Sequence, residues 1–213
     1  MIIMKKLHAT LASTFYDKII TLHHEEFNYK YLQYKHWLDL LISKLKKRDT
    51  VLDLGCGNGR AIKYFIDRGL KGIGIDISDN MLSLAKKHVP KGTFYKKEFT
   101  AIDFKPHSID SVISFFALNH VPKSEFKKTM ALSKKILKKD GLLLLGMVKG
   151  KGEGLFGGFY NQKLQLYGSG YSKKEIIQVL NKVGFTILKV NIEHFKGKHF
   201  EEDDIYVLAK VKK

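Results

Sequence analysis

The stretch Val51-Leu-Asp-Leu-Gly-Cys-Gly-Asn-Gly-Arg60 constrains this chain more than any other. Val51 to Leu54 is a short apolar run, the pattern of a parallel strand buried on both faces. Gly55, Gly57 and Gly59 break it, and Ala61, Ile62, Phe65 and Ile66 resume with helical spacing. Strand, glycine turn and helix place unpaired backbone N–H groups and a positive helix end beside a ligand. Glycine suits such a turn because a Cβ would block both the bend and the ligand's approach. A tight turn with no ligand would satisfy the same local pattern, so the rest of the chain decides.

The second strand narrows the ligand. Lys71-Gly-Ile-Gly-Ile-Asp-Ile77 reads as a strand, and Ser78-Asp79-Asn80-Met81 opens a helix with Ser78 as its N-cap. Asp76 falls at the strand's carboxyl end, beside the glycine loop of a doubly wound sheet. A carboxylate there accepts hydrogen bonds from a ribose diol, so loop and acid together point to a nucleoside. The dinucleotide fingerprint needs a third glycine three residues after the second. That position is Arg60, and no Gly-Lys-Ser/Thr follows for a phosphate-cradling loop.

Asp53, Gly55, Gly57 and Gly59 resemble the signature loop of the class I S-adenosylmethionine-dependent methyltransferases, Asp-x-Gly-x-Gly-x-Gly. The resemblance extends from about residue 15 to the C-terminus. It implies an α/β fold: a doubly wound, seven-stranded, mostly parallel Rossmann-like sheet with an antiparallel last strand and an N-terminal helical extension. It implies S-adenosylmethionine as cofactor, S-adenosylhomocysteine as product, and no metal. Asp53, Gly55, Cys56, Gly57 and Gly59 would surround the cofactor, with Asp76 on the ribose and Ile77 and Met81 against adenine. Glu98 and Phe99 stand where the family commonly has Asp-Ala at the adenine edge, with Asp103 a rival for the acid. Ser114 and Phe115 close the fourth strand, and Leu118-Asn119-His120 resembles the family's exit loop, where the transferred methyl lies. Tyr16-Asp17 resembles a Tyr-Asp common in the family's N-terminal segment, so Tyr16 and His120 are candidate catalytic residues, with His107 behind them.

Composition sets the limits on function. At 213 residues the chain suits one domain, residues 1–213, with a helical cap over 1–48. Within the cap, Phe27, Tyr31, Tyr34, Leu38, Leu41 and Ile42 predict a helix behind a polar leader. No apolar run reaches the roughly 18 residues of a membrane span, and the N-terminus lacks a signal-peptide pattern, so a cytoplasmic protein is expected. The single cysteine excludes an internal disulfide, and no histidine pair has the HExxH spacing. The formal charge of +17 invites an RNA partner, but only Arg48, Arg60 and Arg68 among 38 basic residues are arginine. Neither Asn/Asp-Pro-Pro-Tyr nor Pro-Cys follows the fourth strand, which argues against two nucleic-acid methylation chemistries.

Residues 149–171 alternate glycines with aromatics and lysines, unlike a Gly/Ser linker. They read as a lid on the acceptor site, with Phe156, Phe159, Tyr160 and Tyr167 beside Asn119 and His120 as a candidate substrate wall. The expected acceptor is a small molecule, with RNA or protein as runner-up. A non-catalytic cofactor-binding subunit is the alternative of another class. A monomer or homodimer suits either.

Overall fold

The computed structural model describes residues 2–157, 165–197 and 201–212, with the side chains of 2–6, 19–29 and 32 left outside that description. In chain order the elements are α1 (Ile2–Ile42), β1 (Thr50–Leu54), α2 (Arg60–Ile66), β2 (Lys71–Asp76), α3 (Asp79–His88), β3 (Thr93–Lys96) and β4 (Ile109–Phe115). They continue as α4 (Lys123–Ile136), β5 (Leu137–Val148), β6 (Glu153–Gly157), β7 (Gln165–Ser169), α5 (Lys173–Val183), β8 (Phe185–Lys196) and β9 (Glu201–Val211).

Continuous apolar runs in β1, β4 and β5 need cover on both faces, and they form the centre of a seven-stranded sheet ordered β3-β2-β1-β4-β5-β9-β8. β3, β2, β1, β4 and β5 are parallel neighbours, while β9 inserts antiparallel between β5 and β8. This is the expected doubly wound architecture. The chain steps outward from β1 through β2 to β3, then returns to β4 on β1's other side. That reversal opens a crevice at the carboxyl ends of β1 and β4, where α/β sheets bind ligands.

Period-two alternation divides the core. Leu143, Leu145 and Met147 of β5 and Val207 and Ala209 of β9 pack with Phe126 and Met130 of α4 and Ile176 and Leu180 of α5. Leu142, Leu144, Tyr206 and Leu208 face the other way, against Tyr34, Trp37, Leu38 and Leu41 of α1 and Phe65 of α2. α5 starts on a capping box, Ser172 with Glu175, and stops at Gly184 in the left-handed region.

Two boundaries depart from the sequence reading. The expected polar leader is helical from Ile2, so α1 runs 41 residues, roughly 60 Å at 1.5 Å per residue. Its first half reads as polar because it covers a cavity and a hairpin, not the main core: Ala12 and Phe15 form a small cluster with Leu166, Tyr16 and Ile77. The spacing of Phe126, Met130, Leu132, Ile136 and Leu137 predicts a helix from Ser124 to Lys139, whereas α4 ends at Ile136 and β5 begins at once. The strand kinks where Asp140 takes a positive φ of 63° and the register with β4 shifts between Ile109 and Ser111. The 149–171 segment supplies β6 and β7, a separate antiparallel pair. No described helix is long and apolar enough to cross a membrane.

Leu145 is fully buried in the central strand. Leu145→Ala should lower unfolding free energy by about 3 kcal/mol, read as a shifted denaturant midpoint at constant slope.

Candidate active site

The loop after β1 is shaped by what its glycines must avoid. Gly55 sits at φ 80°, and a Cβ there would lie 2.2 Å from Ala117 Cβ. Its N–H and that of Cys56 donate to the Ile75 carbonyl at 2.8 and 3.0 Å, tying the loop to β2. Gly57 differs. It too is left-handed, at φ 50°, yet a Cβ would meet nothing within 4 Å. The backbone there borders open space, a cradle that a side chain would fill. Gly59 is the N-cap of α2 and has no side-chain cap, so the helix's first N–H groups are left toward the crevice.

Asp76 closes this cradle. Its Oδ2 accepts from Gly57 N–H at 2.8 Å, and Oδ1 from Ile77 N–H at 2.8 Å and Ser78 N–H at 3.0 Å. Burial raises its pKa, and these three backbone donors oppose that rise. They fill three of its roughly four acceptor positions, leaving room for a ligand hydroxyl. The carboxyl of Asp53, buried near the end of β1, has no hydrogen bond among the described residues. Burial, then the charge of Asp76, pushes its pKa up to about 8.

Both acids line a cavity of about 140 Å³ that runs beneath α1. Its cradle end is bordered by Gly55, Cys56, Gly57, Ile77, Met81, Glu98 and Phe99. α1 is pinned across it: Ser78 Oγ donates to Asp17 Oδ1 at 2.5 Å and Ser13 Oγ to the Ile77 carbonyl at 3.5 Å. Ser78 Oγ also accepts from Met81 N–H, as the N-cap of α3.

The far end of the cavity holds Tyr16, His120, His8 and Glu125. His120 Nδ1 lies 3.1 Å from the Tyr167 carbonyl, which can only accept. Nδ1 therefore carries the hydrogen, and Nε2 accepts the Tyr16 hydroxyl hydrogen at 2.7 Å. Burial takes the His120 pKa down to about 4, so this tautomer stays neutral. Phe116, in the same wall, is held at φ 60° under the buried Lys30 ammonium, 3.6 Å from its ring centroid. Lys30 in turn pairs with Asp204 and Glu202 of β9, fixing α1 over the site.

A family model for a methyltransferase domain matches residues 51–141. The SAM-dependent methyltransferase of Methanosarcina mazei shares the fold at TM-score 0.74 and 18% identity, over 81% of this chain and 97% of that one. An uncharacterized protein of Methanocaldococcus jannaschii is 30% identical over 190 residues, 85% of each chain. The chain belongs to the class I S-adenosylmethionine-dependent methyltransferase family. An uncharacterized methyltransferase of Oceanobacillus iheyensis is 28% identical over 115 residues, 53% of this chain and 54% of its own. The chain thus spans about half the length of some curated relatives that it matches.

The methyltransferase crevice gathers most of the expected cofactor residues: Asp53, Gly55, Cys56, Gly57, Asp76, Ile77, Met81, Glu98, Phe99 and Phe115 border one cavity. Gly59 and Ser114 lie behind it. Ser114 Oγ donates to the Leu54 carbonyl at 2.8 Å, pinning β4 to β1. Asp103 is exposed and paired with Lys97, which leaves Glu98 as the acid at the cavity.

Among the expected substrate residues, His120 lines the cavity and Asn119 does not. The Asn119 amide instead brackets the carbonyls of Val148 and Ser169 and the Val148 N–H, joining β5 to β7. Phe156 is 48% exposed, covers Gly168 and does not line the cavity. Tyr167 contributes its carbonyl to His120 and places its ring beside His8. Phe159 and Tyr160 lie outside the described residues. His107, whose Nδ1 meets the Leu137 carbonyl, does not line the cavity.

His8, Tyr34, Phe116 and Glu125 border the cavity without having been read from sequence. His8, Ala12 and Tyr16 are four residues apart, a spacing visible once the helix is extended to Ile2.

The Asp53 carboxyl gives a signed pH test. Its folded pKa of about 8 lies above the ordinary value of about 3.9. Its contribution to stability is therefore full below about pH 4 and lost as pH climbs through about 8. Asp53→Asn should flatten that loss: melting temperatures of ligand-free wild type and variant should agree near pH 4 and diverge increasingly toward pH 9, with the variant higher.

Proposed function

We propose that this protein transfers the methyl group of S-adenosylmethionine to a small-molecule acceptor. The observation that carries the reading is one buried cavity with a nucleoside cradle at one end and the Tyr16–His120 pair at the other. The residues fit the cofactor: Gly57 leaves open the space a Cβ would take, and Asp76 keeps an acceptor position toward it. Asp53 adds a carboxyl that ionises beside an arriving cation. When bound, S-adenosylmethionine supplies an electrophilic methyl group on a sulfonium.

The chain's own share is alignment and proton handling. α1 roofs the cavity, and holding two reactants in line contributes roughly 7–11 kcal/mol to such steps. Tyr16 Oη gives its hydrogen to His120 Nε2, so toward an acceptor molecule it can only accept. An acceptor N–H or O–H placed there is oriented by Tyr16 and can pass its proton toward His120. His120 thus acts through Tyr16, with its ring held by the Tyr167 carbonyl.

A small acceptor is favoured because the cavity is narrow and roofed by a helix. Its lining also carries four carboxyl groups and one guanidinium, unlike the lysine-rich exterior. The +17 charge keeps RNA as the second reading, since a basic exterior can hold a polyanion.

Radiolabelled methyl transfer into fractionated cell extract tests the proposal. Label should enter small-molecule fractions and survive RNase. Tyr16→Phe should lower turnover by about a hundredfold or more with cofactor affinity retained. RNase-sensitive label would establish the RNA reading, and cofactor binding without transfer to any fraction would leave a binding subunit.

A further inference from the structure

Resting on that reading of the cavity, we propose that the acceptor is a small organic amine, bound as its ammonium, and that Glu125 selects it. Four carboxyl groups line the cavity, from Asp53, Asp76, Glu98 and Glu125, and no lysine does so among the described residues. The one guanidinium, Arg60, lies over the Tyr31 ring at 5.3 Å. Asp53, Asp76 and Glu98 belong to the cradle end. Glu125 stands apart from them, in the first turn of α4, at the end that holds Tyr16 and His120.

An acid in a first helical turn is ordinarily explained by the helix dipole. Glu125 differs in facing a cavity instead of water, with its side chain 12% exposed. Oε2 lies 3.3 Å from His8 Nε2. Oε1 has no hydrogen-bond partner among the described residues. At the same end of the cavity, Tyr16 Oη has given its hydrogen to His120. Both groups accept and neither donates, so a matching ligand must donate. A carboxylate or phosphate would face repulsion and have no donor from either. A neutral hydroxyl supplies one hydrogen for two acceptors. An ammonium supplies three hydrogens and the compensating charge. The surrounding wall of Ala9, Ala12 and Val121 suits a short carbon skeleton.

The test measures binding, so it does not depend on turnover. Protein saturated with S-adenosylhomocysteine is melted with matched probes, butylamine against butyrate and phenethylamine against phenylpropionate. The amines should raise the melting temperature and the acids should not. By calorimetry, Glu125→Gln should weaken amine binding about tenfold or more and leave S-adenosylhomocysteine affinity unchanged. Glu125→Asp should restore part of the amine preference. A Glu125 that only supports the helix would alter the melting temperature without altering the preference between amine and acid. Equal responses to amines and acids, no response to amines, or an amine response untouched by Glu125→Gln would overturn the proposal. Failure of S-adenosylhomocysteine itself to bind would instead remove the methyl-transfer reading beneath it.

Discussion

The partly buried Asp76 carboxylate holds the site together by accepting from two separate pieces of backbone. One is Gly57, in the loop after β1; the others are Ile77 and Ser78, at the start of α3. Without those N–H donors a carboxylate so deeply placed would be neutral or displaced, because desolvation of a charge costs several kcal/mol. With them, the loop and the next helix are fixed relative to each other, and the open side of Gly57 faces a defined space. The same helix start ties to α1 through Ser78 and Asp17, so the roof over the cavity depends on this anchor as well.

The arrangement is built for a ligand at some expense to the empty protein. Asp53 and Asp76 are two carboxyls in one buried region, and each raises the pKa of its surroundings. Phe116 adds a left-handed backbone residue without being glycine. Such features are retained where a bound molecule compensates for them. A cationic ligand would do so for the acids, which agrees with the sign of every charge at the cavity's two ends except Arg60. The lysine-rich exterior and the carboxylate-lined interior are therefore separate features, one governing solubility and long-range attraction, the other selection.

The cradle end of the cavity was legible in sequence because its information is local. Three glycines at alternate positions, an acid at the end of the next strand, then Ile77 and Met81 each follow from strand and helix periods within thirty or so residues. The far end of the cavity was only partly legible because it is assembled from α1, α4 and the β6–β7 hairpin, segments far apart in the chain. His120 and Tyr16 were found by resemblance. His8 and Glu125 were not, since neither carries a local pattern beyond its helix. Resemblance located the exit loop without giving side-chain direction: Asn119 turns away to bind backbone, whereas its neighbour His120 turns in. Phe156 shows the same limit: it packs on Gly168 and stays outside the cavity.

Titration calorimetry with S-adenosylhomocysteine addresses the central claim, that Gly57 and Asp76 form a nucleoside cradle. Wild-type protein should bind one equivalent, and Asp76→Ala, with its ribose acceptor gone, should show no saturable heat. Absence of binding by folded wild-type protein, or equal affinity in the Asp76→Ala variant, would contradict it.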